Sequence, residues 1–125
     1  MGKKKPAYKT KYYYYMCEKE VRAVQLAAVL SEDNALKGKV EVWDDADIIE
    51  IATQEKRTID VERLELFDGE TDGEFVRSRN INSIYSIRVD EMDETEMIRI
   101  FKQIVEVHPG FVCSDTDDFQ PFLIS

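Results

Sequence analysis

Apolar and polar positions alternate over some stretches of the chain and recur at helical spacing over others, and the clearest run lies between Asn80 and Phe119. Ile81 to Val89 is a β-branched, partly alternating run that predicts a strand, and Asp93 and Glu96 then form a D-x-x-E start signal. Met97, Phe101, Ile104 and Val105 share one helical face, with Ile98 and Ile100 widening it, as expected of a helix buried against a sheet. His108, Pro109 and Gly110 stop that helix, and Phe111 to Cys113 predicts a short strand leading to an acidic loop, Ser114 to Asp118.

The N-terminal half repeats the order of strand and helix. Tyr12 to Cys17 has high strand propensity and sends Tyr12 and Tyr14 to one side and Tyr13 and Tyr15 to the other, so two hydroxyls fall near water or a partner. Glu18 to Leu30 predicts a helix with Val21, Val24 and Ala28 on one stripe, Leu26, Val29 and Leu30 beside it, and Glu18 and Glu20 at its positive end. Ser31 to Gly38 is a turn-rich exit. Lys39 to Trp43 and Ile48 to Thr53 read either as a hairpin around Asp44, Asp45 and Asp47 or as one bent strand. Thr58 to Phe67 alternates but changes phase around Glu62 and Arg63, the sequence appearance of a β-bulge. Asp68 to Glu74, DGETDGE, reads as a loop, and Arg77 and Arg79 as alternate positions of an extended segment. The expected fold is α+β: a mostly antiparallel sheet with two helices packed on one face, with a ferredoxin-like order carrying extra strands in the middle as one form of it.

A length of 125 residues with 43% hydrophobic and 34% charged residues fits one globular domain, and no apolar run approaches a membrane span. Residues 1–11 read as a basic, mobile tail and residues 12–125 as the domain. No secretory signal pattern appears, which makes a cytoplasmic location the expectation. Cys17 and Cys113 form no C-x-x-C pair and are expected as buried free thiols.

Charge sharpens the functional reading. Five lysines fall within the first eleven residues, so the rest carries all 26 acids and a formal charge of about −14, against −9 for the whole chain. Such a body repels phosphate backbones and disfavours direct nucleic-acid binding, whereas a basic protein surface suits it. The leading expectation is therefore a small, acidic, non-enzymatic interaction module of the inhibitor, immunity or nucleic-acid-mimic type, with Asp44, Asp45, Asp47, Asp68, Glu70 and Asp72 as contact groups. A second reading is an oligomeric small-anion-binding protein with Tyr12, Tyr14, Arg77 and Arg79 at a seam between subunits. A third is a metal-dependent enzyme using Asp90, Asp115, Asp117 and Asp118.

No cofactor is expected, because no P-loop or dinucleotide fingerprint is present. Asp68, Glu70, Asp72 and Gly73 begin like a calcium loop, but Arg79 stands where its bidentate glutamate belongs. His108, the only histidine, is better suited to a helix C-terminus than to a catalytic base.

Overall fold

The computed structural model describes residues 9–53 and 56–125. Residues 1–8, most of the basic tail, lie outside them. Strands β1 (Thr10–Cys17), β2 (Val40–Trp43), β3 (Ile48–Ala52), β4 (Thr58–Leu64), β5 (Ser83–Asp90), β6 (Gly110–Ser114) and β7 (Phe122–Ile124) form one sheet in the order β2-β3-β4-β5-β1-β6-β7, and every neighbouring pair is antiparallel. The helices are α1 (Ala23–Leu30), α2 (Thr71–Ser78) and α3 (Glu94–Val107). The fold is thus α+β, with a seven-stranded antiparallel sheet and three helices. Because β5 and β6 both run antiparallel to β1, they point the same way, and α3 links them across it.

Two helices share one face, as the sequence pattern predicts. Ala23, Leu26 and Leu30 of α1 and Met97, Ile100, Phe101 and Ile104 of α3 join Tyr13, Tyr15, Ile49, Ile51, Ile59, Val61, Tyr85, Ile87 and Val112 in one buried cluster. The tyrosine run divides as its alternation requires: Tyr13 and Tyr15 are buried, while Tyr12 is 52% exposed. Burial, with Glu94 accepting the Tyr13 hydroxyl's hydrogen bond, pushes that phenol up to about 12.

The first helix starts later than the sequence suggests and buries a different stripe. Glu18 and Glu20 precede it, Val24 and Ala28 face solvent, and the carboxylate at its N-terminus comes from Asp47, whose Oδ1 accepts from the Ala23 amide at 2.9 Å. A distant residue does here what a local acid was expected to do. The D-x-x-E signal before α3 also marks the right place by a different mechanism. Asp93 does not cap with its side chain; its carboxylate accepts from Arg57 Nε at 2.8 Å, Arg57 Nη2 at 3.2 Å and Thr53 Oγ1 at 3.0 Å.

The third helix is a correction. Residues read as the end of a loop and an extended segment form α2, which packs on the opposite face of the sheet through Val76 and Phe75, with Met16, Ile84, Cys113 and Phe119. Gly73 allows this, since a Cβ there would stand 2.8 Å from the Asp68 carbonyl carbon. The phase change in β4 is also resolved. Its pairing with β5 runs in unbroken register from Asp60↔Arg88 to Leu64↔Ile84, so there is no bulge there. Instead, Ile59 and Val61 face the α1/α3 core, whereas Leu64 faces the α2 core. Residues 40–43 and 48–52 are a hairpin, turned by Asp44–Ala46 and by Asp47 in the left-handed conformation at φ 53°. Cys17 and Cys113 are buried free thiols. Among the described residues no helix is long and apolar enough to cross a membrane.

Candidate functional site

Strand alternation sends the residues between the core positions of β2 to β5 to the face that α2 only partly covers. In cross-strand register these form a row: Glu41 opposite Glu50, Glu50 opposite Asp60, Asp60 opposite Arg88, and Arg88 opposite Tyr12. Glu62 lies in the next row, opposite Ile48 and Ser86. Directly opposed side chains have Cβ atoms about 4.5–5.5 Å apart, and like charges so placed oppose folding. The sheet tolerates two such contacts in succession.

Only Asp60 is neutralised, by Arg88 Nη1 at 2.6 Å, with Thr58 Oγ1 also donating to it at 3.0 Å. Glu41, Glu50 and Glu62 have no ion pair or side-chain hydrogen bond among the described residues. Four carboxylates thus face one guanidinium. Trp43, 44% exposed, and Tyr12, 52% exposed, stand on the same face at its two sides.

The six acids expected from the sequence as contact groups differ in their surroundings. Asp47 is engaged throughout: beyond the Ala23 amide, it accepts from Arg22 Nε at 2.9 and 3.1 Å and lies 3.8 Å from Arg63 Nη1. Burial pushes its carboxyl up, but the Ala23 amide and the Arg22 guanidinium outweigh that and hold it below the usual range. Asp44 pairs with Arg22 Nη2 at 3.3 Å. Asp45, Asp68 and Glu70 are exposed, and Glu70 stands at the start of α2. Asp72 turns inward, and its Oδ1 is buried without a hydrogen-bond partner.

The other two residue sets are scattered. The Tyr14 hydroxyl donates to Asp115 Oδ1 at 2.9 Å, and its ring packs against Phe67 and Phe119, so it is not on the same open surface as Tyr12. Burial, followed by the neighbouring Asp115, raises its phenol. Arg77 lies beside Gly73 on α2, whereas Arg79 follows the helix and holds its guanidinium carbon 3.9 Å above the Phe75 ring. Asp90 accepts from the Met92 amide at the end of β5, on one side of β1, while Asp115, Asp117 and Asp118 follow β6 on the other. Asp118 accepts from Thr116 Oγ1 and the Gln120 amide. Asp72, Asp115 and Asp117 line one cleft with Tyr14, but among the described residues no group of three His, Cys, Asp or Glu side chains is placed to hold a metal ion.

Glu41, Glu50, Asp60 and Glu62 were not singled out by sequence reading. Their signal was present as the polar positions of three alternating strands, and it became legible only once register set those positions side by side. Comparison with protein-family models, with curated proteins and with solved structures finds no match for the chain.

Proposed function

We propose that the chain is a non-enzymatic interaction module whose open sheet face binds and masks a basic surface of a partner protein. The observation that carries this reading is the row Glu41–Glu50–Asp60 with Glu62 beside it, in which Asp60 alone has an ion partner. Its like-charge contacts cost folding free energy, and a lysine- or arginine-rich partner removes that cost on binding. Trp43 and Tyr12 supply aromatic contact area at the sides of the row and ring faces for partner cations. The two thiols suit no nucleophilic role: both are buried, and burial pushes Cys113 up to about 12 and Cys17 upward as well. The order β4-β5-β1-β6, with α1 and α3 on one face, also supports reading the core as ferredoxin-like, with β2, β3 and β7 added.

Calorimetric titration with a lysine/arginine-rich peptide tests this. The triple variant Glu41→Gln, Glu50→Gln, Glu62→Gln is expected to bind about tenfold more weakly or worse, a loss of about 1.4 kcal/mol or more. The triple variant Asp45→Asn, Asp68→Asn, Glu70→Gln, which changes net charge equally, is expected to bind like wild type. Equal weakening by both sets would reduce the effect to net charge and overturn the site. The five lysines within the first eleven residues also give a second copy of the chain the right charge for this face. Light scattering at low and high salt, with and without residues 1–8, separates self-association from capture of another protein.

A further inference from the structure

Where β1, α2 and α3 come to their C-terminal ends, the chain forms a cleft of about 640 Å³ that gathers basic side chains. Lys19, Arg79 and His108 line it, and none of the three has an ion pair among the described residues. Glu18 is the one side-chain carboxylate among the lining groups. The remaining wall is largely apolar: Ile81 is 5% exposed, and the Phe111 and Phe122 rings stack with centroids 4.7 Å apart.

Arg79 is positioned without a carboxylate. Its guanidinium carbon stands 3.9 Å from the Phe75 ring centroid, a cation–π contact that helps hold the group while its N–H donors make no hydrogen bond among the described residues. The following residue, Asn80, takes φ 56° and turns the chain back along the same cleft. An arginine held this way loses little further freedom when it engages an anion, which favours binding.

We propose that this cleft binds a small organic monocarboxylate with an apolar body, an aryl or short alkyl acid. Arg79 and Lys19 take the carboxylate, the His108 imidazole adds a donor, and Ile81, Phe111 and Phe122 cover the body. Glu18 disfavours a dianion such as phosphate, and the apolar part of the wall suits the body of an organic acid. Binding involves no covalent step: the Cys17 thiol donates to the Lys19 carbonyl at 3.2 Å and is kept protonated by burial.

The test is titration of the full chain with phenylacetate, and separately with inorganic phosphate, followed by calorimetry and by amide chemical shifts. Phenylacetate is expected to bind in preference to phosphate, and Arg79→Gln and Lys19→Gln are each expected to weaken it about tenfold, the worth of one charge-assisted hydrogen bond. Lys102→Gln, on the exposed side of α3, is expected to leave binding unchanged, as is the triple glutamine variant of the open sheet face. Lys19 and Arg79 are both exposed, and thermal unfolding of each variant confirms that it folds; if one fails to fold, the other decides. Absence of phenylacetate binding up to about 10 mM, where even a weak site of a few kcal/mol registers, would overturn the proposal. So would phosphate binding as tight as phenylacetate, or unchanged affinity in both arginine and lysine variants.

Discussion

The face of the sheet opposite α1 and α3 has a covered half and a bare half. Over β1, β6 and the adjoining ends of β4 and β5, Phe67, Phe75 of α2, Phe111 of β6, Phe119 and Phe122 gather around Val76, Met16 and Ile84. The Phe75 and Phe119 rings stack there with centroids 4.3 Å apart. Over β2, β3 and the rest of β4 and β5, the same alternation of side chains ends in Glu41, Trp43, Glu50, Asp60 and Glu62, with no helix above them. Register runs unbroken from β2 to β6, and the one shift lies beyond, between β6 and β7, so strand pairing does not mark the boundary between the halves. Cover does: on the bare half Asp60 pairs with Arg88, while Glu41, Glu50 and Glu62 are left to water or to another molecule.

Truncation separates the halves most strongly. Phe119→Ala is expected to cost about 3–5 kcal/mol of stability by chemical denaturation, whereas Trp43→Ala on the bare half costs under about 1 kcal/mol. Comparable losses at the two positions would mean that the bare half is packed too. The paired acids come next. Asp93→Asn removes the carboxylate that accepts from Arg57 and Thr53 and is expected to cost about 1–3 kcal/mol. Asp47→Ala removes the partner of the α1 N-terminus together with the Arg22 pair, for about 1–2 kcal/mol.

These acids also set the response to pH. Arg57 chiefly lowers the Asp93 carboxyl, Gln103 followed by Arg99 lowers that of Asp33, and the Ala23 amide and Arg22 lower that of Asp47 against its burial. A carboxyl whose folded pKa lies below its unfolded value of about 3.9 contributes fully above that value, and the contribution fades as pH falls through the folded pKa. Stability is therefore expected to drop below about pH 4, with Asp93→Asn and Asp47→Ala each showing a shallower drop in a pH series of unfolding curves. The smallest effect has the opposite sign. Glu50→Gln relieves repulsion on both sides of the row and is expected to stabilise by about 0.5 kcal/mol at low salt, with the gain shrinking as salt is added. A stability loss there would show that Glu50 has a favourable partner.

Much of this arrangement can be read in the chain, and the parts that cannot have physical reasons. Strands β1 and β5 and helix α3 are long and strongly periodic, so pattern alone places them. Helix α2 is eight residues long, contains Gly73, and has only Phe75 and Val76 as its large apolar groups, so tertiary contact rather than propensity makes it helical. The phase shift of β4 looked like a bulge because alternation records burial without saying which side supplies the cover. The acidic turns stand out as runs in the sequence, yet Asp47 and Asp44 are spent on Arg22 and the end of α1. The row of carboxylates is assembled from residues nine and ten positions apart, and only pairing of the strands brings them together.

Trp43 is the only tryptophan in the chain and stands on the bare half. Its emission, followed while a tryptophan-free lysine/arginine-rich peptide is added, reads the occupancy of that surface directly. A saturable change in emission is expected, tracking the calorimetric binding curve and disappearing in the Glu41→Gln, Glu50→Gln, Glu62→Gln variant. Peptide binding that proceeds by calorimetry while Trp43 emission stays constant would place the basic partner elsewhere on the molecule and contradict the proposed site.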